Sequence, residues 1–181
     1  MYNVHKQPEP VKIDLFKGIT SLRSNDIPSP KLTEVVKDEI WIVDDLLSNQ
    51  ECQYLIEASE QGGFVDALVT TGLNTGIMDK EYRDSKRVMI DDVNLAKYFL
   101  QRCEKFLPRA YQGGVLLSMN ERFRFLKYDQ PGNKFAKHCD GCYWRNDYEI
   151  TTITIQYYLN EGMKGGETTF FHDSFKDVNC C

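Results

Sequence analysis

Apolar residues recur every three or four positions in two stretches of the chain, and this spacing predicts two helices. The first should begin at Ser48, because Ser48 and Glu51 have the spacing of a capping box, and should end at Gly62 and Gly63. The second should run from Asp92 to Leu107, where Pro108 stops it. One side of the first helix contains Cys52, Leu55, Ile56 and Ser59, and the apolar side of the second contains Leu95, Phe99, Cys103 and Phe106.

Segments rich in β-branched and aromatic residues predict strands before the first helix and throughout the C-terminal third. "QPGN" and the glycine-rich "NEGMKGGE" predict turns between them, with Gly132, Gly165 and Gly166 as turn residues. Helices followed by strands favour an α+β fold in which helices pack on one side of an antiparallel sheet. The predicted strand or extended segments are EIWIVDDLL (39–47), ERFRFLKYD (121–129), FAKHCD (135–140), EITTITIQYYL (149–159) and TTFF (168–171).

The domain organisation follows from the proline positions and the chain length. Residues 1–38 are polar and contain four prolines, so we expect an extended, partly ordered lead-in. The remainder, residues 39–181, is expected to form one domain, because 181 residues suffice for one full core.

Composition excludes some partners. The net charge is -5 and the pI is near 5.3, without a basic stripe, so nucleic acid is not an expected partner. Neither a signal peptide nor a membrane-spanning stretch is recognisable, which predicts an intracellular, cytoplasmic protein that does not bind membranes. The six cysteines are expected to be free thiols; a zinc site made by Cys139, Cys142, Cys180 and Cys181 is the less favoured alternative.

Candidate chemistry lies in the stretch FAKHCDGCYW. Side chains two apart in an extended strand share a face, so His138 and Asp140 should project together while Cys139 points the other way. An imidazole and a carboxylate on one face are two of the three ligands in the facial triad of non-haem Fe(II) oxygenases. The pair alone is a weak signal, since a surface hydrogen-bonded couple has the same spacing.

The surrounding segments strengthen the iron interpretation. "FLKYDQPGNKFAKHCDG" followed by "TITIQYYLNEGMKGGETTFF" resembles the core of the prolyl 4-hydroxylase-like 2-oxoglutarate- and Fe(II)-dependent dioxygenases, in which Y-x-x-G-x-x-F-x-x-H-x-D precedes Y-L-N and then G-G-E-T-x-F. Matched blocks extend in order from about Glu39 to Phe171. The resemblance implies a double-stranded β-helix, a jelly-roll related to the cupins, with N-terminal supporting helices.

The resemblance also implies roles for single residues. His138 and Asp140 match the first two Fe(II) ligands, and Tyr128, Tyr158 and Thr168 match positions that line the 2-oxoglutarate pocket. The implied reaction is hydroxylation of a C–H bond by O2, coupled to decarboxylation of 2-oxoglutarate to succinate, with ascorbate as the reductant of stray ferric iron. A prolyl residue of a protein or peptide is the leading substrate, and a small molecule is the alternative. The glycine- and threonine-rich stretch 63–82 is a candidate substrate loop.

The family pattern is incomplete in this sequence. The family has a second histidine and, about ten residues after it, a basic residue that pairs with 2-oxoglutarate, both well beyond the G-G-E-T-x-F block. His172 comes too early to be the favoured distal ligand, and neither Arg145 nor Lys176 matches the basic position. We therefore expect a barrel that is incomplete at its C-terminus. The alternative to an oxygenase is a catalytically inactive, truncated barrel that acts as a binding or interaction protein.

Overall fold

The computed structural model describes residues 3–22, 29–72, 74–172 and 175–180, with the backbone alone for 172 and 175–180. The α-helices are α1 (Leu15–Thr20), α2 (Asn49–Gln61) and α3 (Val93–Cys103), and a 3-10 turn follows at Glu104–Phe106. The strands are β1 (Val4–Lys6), β2 (Lys31–Val36), β3 (Ile40–Asp44), β4 (Val65–Asp66), β5 (Val69–Gly72), β6 (Thr75–Ile77), β7 (Lys86–Asp91), β8 (Ala110–Tyr111), β9 (Gly114–Val115), β10 (Arg122–Lys127), β11 (Thr168–His172) and β12 (Phe175–Cys180).

The strands form small sheets, and the pairs between them are antiparallel. Among the described residues, two sheets have three strands, in the orders β1-β6-β5 and β10-β7-β4, and the other sheets are the pairs β2-β3, β8-β9 and β11-β12. The fold is therefore mixed α+β, as the sequence predicts. These small sheets do not by themselves establish the double-stranded β-helix, which stays a proposal.

Helix α2 begins and ends where the sequence predicts. Ser48 Oγ accepts a hydrogen bond from the Glu51 amide at 3.2 Å, and Glu51 Oε2 accepts one from the Ser48 amide at 2.7 Å, which completes the capping box. The helix stops before Gly62, and Gly63 has a φ of 78°, a conformation that costs glycine little. Leu55 and Ser59 of its predicted inner side are buried, while Cys52 and Ile56 are half-buried.

Helix α3 is shorter than predicted. Asp92 is its N-cap, with Oδ1 accepting from the amides of Asn94 and Leu95, but α-helical structure ends at Cys103 rather than Leu107. The chain tightens into the 3-10 turn before Pro108, a frequent form of helix end. The other oxygen of Asp92 accepts a 2.8 Å hydrogen bond from the Phe16 amide, which ties α1 to the start of α3.

The core lies between these helices and one face of β7. Val88 and Ile90 of β7 pack with Leu15 and Ile19 of α1, Leu55 and Ala58 of α2, and Leu95 and Phe99 of α3. Leu15 is fully buried, so part of the expected lead-in is folded into the core. That helix was missed because a six-residue element has too few apolar positions to show a period. The division of the chain at residue 38 stays a prediction.

Two predicted strand or extended segments differ from the structure. Residues 151–160 form no hydrogen-bonded ladder, and within 135–140 the pairing is limited to one bridge between Phe135 and Arg83. In the described part of the chain no strand pairs with 151–160, and β-propensity without a neighbouring strand does not make a sheet. Exposure nevertheless alternates along 151–160, with Tyr157 and Leu159 packed against the core, so the segment is extended.

The remaining strand and turn predictions are confirmed. β3 and β10 lie within the first two predicted strands, and β11 covers the last one. In QPGN the Asn133 amide donates to the Gln130 carbonyl at 3.1 Å, and Gly132 has a φ of 87°. Gly165 and Gly166 also have positive φ, so this turn requires the conformations that glycine adopts most easily.

Candidate functional site

His138 and Asp140 converge even though they lie outside any strand. Nε2 of His138 is 3.4 Å from Oδ1 of Asp140. The imidazole is the less exposed of the two side chains, at 28%, and the carboxylate is 58% exposed, so the pair is open to solvent on one side. The convergence that the spacing predicts is therefore present, while the strand geometry offered as its reason is wrong.

The orientation of the His138 ring is fixed by its neighbours. Nδ1 lies 2.7 Å from the Ala136 carbonyl, to which it can only donate, so Nε2 is the nitrogen with the free lone pair whenever the ring is neutral. The ring also stacks on Phe135, with centroids 3.8 Å apart. The Arg83 guanidinium lies 4.2 Å from the Phe135 centroid, and because both groups cannot occupy one face, Phe135 is held between Arg83 and His138.

Asp140 is held from its outer side. Thr154 Oγ1 donates a 2.8 Å hydrogen bond to Oδ2 of Asp140, so Oδ1 is the oxygen that faces His138. Thr154 lies in the extended segment 151–160, on the more exposed side that it shares with Gln156 and Tyr158. Nδ1 of His138 and Oδ2 of Asp140 are thus hydrogen-bonded to other groups, while Nε2 and Oδ1 face each other. Hydrogen bonds of this kind orient the ligands in metal sites.

Two facing acceptors favour a positive charge between them. With the ring neutral, Nε2 and Oδ1 both offer lone pairs, so either a proton or a cation must stabilise their approach. Two donors each about 2.1 Å from one metal ion, at adjacent positions, lie roughly 3 Å apart, which is near the observed separation. The pair fits two ligands of a metal ion on this ground.

The third ligand of a facial triad is not among the described side chains. No group of three histidine, cysteine, aspartate or glutamate side chains that could hold a metal is found in the residues described here. His172 is the last residue of β11, and its side chain is outside the described part of the chain. The two residues that converge are the two that the sequence predicts as iron ligands.

The predicted 2-oxoglutarate residues form a second group. The Tyr158 hydroxyl contacts Thr168 Oγ1, which also accepts a hydrogen bond from Gln156 Nε2 at 3.1 Å. Tyr128 is 48% exposed, but burial around its hydroxyl raises its pKa, and the nearby Arg83 charge and a hydrogen bond with Ser85 partly oppose this. Hydroxyl groups of this kind suit the oxygens of a dicarboxylate.

Sequence reasoning missed the residues that position the pair. These are Phe135, Arg83 and Thr154. It also missed Gln156, which donates to Thr168 in the second group. The alternation of side chains along an extended segment could have indicated two of these residues, because Thr154 and Gln156 lie on the same side as the predicted Tyr158. No spacing rule connects Arg83 with Phe135, because their contact depends on a bridge between segments about fifty residues apart.

The cysteines, Arg145 and Lys176 are the remaining residues that the sequence analysis considered. Cys52, Cys103, Cys139 and Cys142 are free thiols, as predicted, and the side chains of Cys180 and Cys181 lie outside the description. Arg145, to which the sequence gives no role, pairs with Glu121 and Glu149 and holds the loop at 143–151 against the start of β10. The side chain of Lys176 is likewise outside the described residues.

No protein-family model, curated protein or solved structure matches the chain. Within the described ranges, none of the helices has the length and apolar character needed to cross a membrane.

Proposed function

We propose that the protein is a prolyl 4-hydroxylase-like dioxygenase that uses Fe(II) and 2-oxoglutarate to hydroxylate a C–H bond of a protein or peptide. The observation that supports this most directly is the 3.4 Å approach of His138 Nε2 to Asp140 Oδ1 with both outer atoms hydrogen-bonded. A surface couple needs neither the Ala136 carbonyl nor the Thr154 hydroxyl behind it, whereas metal ligands commonly have such partners.

His138 and Asp140 would hold the iron, and Tyr128, Tyr158 and Thr168 would line the co-substrate pocket. Bound Fe(II) with 2-oxoglutarate and O2 would supply the oxidation of an unreactive C–H bond, with one oxygen atom of O2 entering the hydroxyl group and the other entering succinate as CO2 is released. The chain's own contribution is to hold the two ligands on one side and to offer hydroxyl donors to the co-substrate carboxylates. Thr154 keeps Oδ2 of Asp140 occupied, so that Oδ1 is presented together with Nε2.

Metal content tests this proposal without relying on turnover. The protein is incubated with Fe(II) without oxygen, separated from free metal and analysed for total iron. We expect iron to be retained by the wild type and to be lost in His138→Ala and Asp140→Ala. His5→Ala and Asp147→Ala are matched controls, because both residues are exposed and belong to other parts of the fold. Equal iron in all five proteins would overturn the assignment of the site.

Activity is measured in the same proteins. Succinate formed from 2-oxoglutarate is followed by NMR, with and without proline-containing peptides and ascorbate. The proposal expects succinate release that requires His138 and Asp140 and increases with substrate. Iron binding without succinate formation under any of these conditions would leave the metal site standing and refute the oxygenase.

A binding protein without catalytic activity is the second candidate. It is favoured by the aromatic hairpin at 143–151, where Trp144 is 63% exposed and Tyr148 is 92% exposed. The hairpin is ordered by the Thr151 amide, which donates to the Tyr143 carbonyl at 3.0 Å, and by the bridge between Trp144 and Ile150. Absence of stoichiometric iron in the wild type would favour this function over the oxygenase.

A further inference from the structure

Three arginines cluster on the face of β7 and β10 that points away from the hydrophobic core. In the register of these strands Arg87 lies opposite Leu126 and Arg124 lies opposite Met89, so the two arginines are diagonal neighbours on one face. Val88 and Ile90 occupy the other face and pack into the core. Arg83 precedes β7 and lies beside this face through its contacts with Ser85 and Phe135.

Two of these arginines are buried. Arg83 is 8% exposed and Arg87 is 6% exposed, and arginine is almost never buried this far without a counter-charge. Arg124 is more exposed and closes the cluster on the solvent side. A buried guanidinium loses its hydration, and this loss must be offset by hydrogen bonds and by opposite charge.

The hydrogen-bond partners of the cluster are neutral. Arg83 Nε donates to Ser85 Oγ at 3.3 Å, Arg87 donates to Gln7 Oε1 at 2.5 Å, and Arg124 donates weakly to the Arg122 carbonyl at 3.5 Å. Within the described residues none of the three forms a salt bridge with a carboxylate. Arg122 on the same face differs, because it is paired with Asp91 through two 2.8 Å hydrogen bonds.

The charges of the cluster repel one another. The pKa of Arg87 is lowered to about 10, first by burial and then by Arg83 and Arg124. Burial is also the main cause of the lowered pKa of Arg83. Because a pKa near 10 leaves Arg87 protonated at neutral pH, the cluster carries three positive charges there.

Asp140 is the one carboxylate that interacts favourably with both Arg83 and Arg124 in the described structure. Its oxygens already face His138 and Thr154, so it does not neutralise the cluster by direct hydrogen bonds. Asp91 also interacts favourably with Arg124 but is paired with Arg122, so the three arginines keep an excess of positive charge. Arg83 lies across the Phe135 ring from His138, and Asp140 interacts with both Arg83 and Arg124, which places this charge near the His138 pair. An anionic group bound there would relieve the repulsion and supply the missing acceptors.

We propose that Arg83, Arg87 and Arg124 form a binding site for a carboxylate group of a ligand, next to His138 and Asp140. The planar guanidinium groups suit a carboxylate, which they bind with paired hydrogen bonds. The carboxylate belongs either to a small dicarboxylate or to an acidic side chain of a peptide. The site does not depend on the proposed iron chemistry, since none of the three arginines is a metal ligand.

The test measures binding by calorimetry in metal-free protein, with three probes. Succinate represents the small dicarboxylate, a short glutamate-rich peptide represents the acidic side chain, and dimethyl succinate is the neutral control. We expect succinate or the peptide to bind and dimethyl succinate not to bind. Preference for one of the two anionic probes identifies the source of the carboxylate. Absence of binding by both would overturn the proposal.

Variants then locate the site. Arg83→Gln and Arg124→Gln should each weaken binding by roughly tenfold or more, since each removes a charge-assisted hydrogen bond. Arg109→Gln is the matched control, because Arg109 is exposed and precedes β8, away from the cluster. Equal affinity in the cluster variants and the control would refute the site.

Arg87 is tested with two substitutions, since its burial makes misfolding a concern. Arg87→Lys keeps the charge and should retain part of the affinity, while Arg87→Gln should lose more. Thermal unfolding of each variant with and without the anionic probe shows whether the protein is folded, and the wild type should be stabilised by the probe. A folded Arg87→Gln protein with wild-type affinity would contradict the proposal.

Failure of the arginine site and failure of the proposed oxygenase give different results in these experiments. Carboxylate binding without iron retention would support the arginine site and remove the proposed metal function. Iron retention without carboxylate binding would support the metal site and refute the arginine site.

Discussion

Thr154 Oγ1 donates a 2.8 Å hydrogen bond to Oδ2 of Asp140, fourteen residues earlier in the chain. The contact joins the extended segment 151–160 to the loop that contains His138. It holds the carboxylate with Oδ1 towards Nε2 of His138, and it makes Thr154 a positioning residue for the proposed metal site.

Thr154→Val should therefore weaken Fe(II) binding by about 10-fold to 100-fold without removing either ligand. Valine has nearly the same shape but cannot donate to Asp140. Thr154→Ser keeps a hydroxyl and should restore most of the affinity. Anaerobic iron titration of the metal-free protein measures the effect. Thr152→Val is the matched control, because Thr152 is an exposed threonine on the same side of the segment. A loss of iron affinity in Thr152→Val as large as that in Thr154→Val would contradict the role.

Glu51 should be among the residues to which folding stability is most sensitive. Its carboxylate completes the capping box with Ser48, pairs with Arg102 and lies 3.4 Å from the Tyr98 hydroxyl, and the residue is 7% exposed. Glu51→Ala leaves the Arg102 guanidinium without its counter-charge and should cost about 3 to 5 kcal/mol of unfolding free energy. Urea unfolding followed by circular dichroism measures the change.

Ser48→Ala removes only the cap acceptor and should cost about 1 kcal/mol. Gln50→Ala is the control, because Gln50 is exposed on the same helical turn and its loss should stay within about 0.5 kcal/mol. A Glu51→Ala protein as stable as Gln50→Ala would show that the Arg102 pair contributes nothing.

The free thiols should react with alkylating agents in an order set by burial. Cys139 and Cys142 are exposed, Cys52 is half-buried, and Cys103 is 3% exposed with a pKa raised by burial to about 11. The thiolate is the reactive form, so Cys103 has both the least access and the smallest thiolate fraction. Brief iodoacetamide treatment at pH 8, followed by peptide mass spectrometry, should label Cys139 and Cys142 first. Labelling of Cys103 before them in the folded protein would show that the core around α3 opens readily.

Stability should fall on the alkaline side because of the same thiol. An ordinary cysteine titrates near 9.0, as Cys103 does once the chain is unfolded, whereas in the folded protein its pKa is about 11. Between pH 9 and pH 11 the unfolded state loses its proton first, so the unfolding free energy decreases by on the order of 2 kcal/mol. Burial also raises the pKa of Tyr157, which extends the decrease above pH 10.

Cys103→Ala should remove the first part of this decrease. The measurement is the unfolding free energy at pH 8, 9, 10 and 11 for wild type and variant. The difference between them should shrink as the pH rises, since the variant has no thiol to titrate. A constant difference across this range would show that Cys103 does not contribute to the pH dependence.

Local signals in the sequence were sufficient for helix α2, for the start of α3 and for the turns, whereas the six-residue helix α1 was missed. The capping box at Ser48 and Glu51, the proline after the second helix and the glycines with positive φ act over a few residues, so the sequence determines them directly. The sequence also predicts that His138 and Asp140 converge, but no strand sets their geometry, and contacts with Ala136, Phe135 and Thr154 orient the two side chains.

Contacts between distant segments were decided only by the tertiary structure. Alternation in residues 149–159 indicates an extended chain but not a paired strand, because a ladder requires a partner that the local sequence does not specify. The arginine cluster arises because the register of β7 and β10 puts Arg87 and Arg124 on one face while a bridge brings Arg83 beside it. Thr154 reaches Asp140 through the same kind of long-range packing. Short-range spacing thus fixed the two candidate ligands, and three-dimensional packing fixed the groups that orient and charge their surroundings.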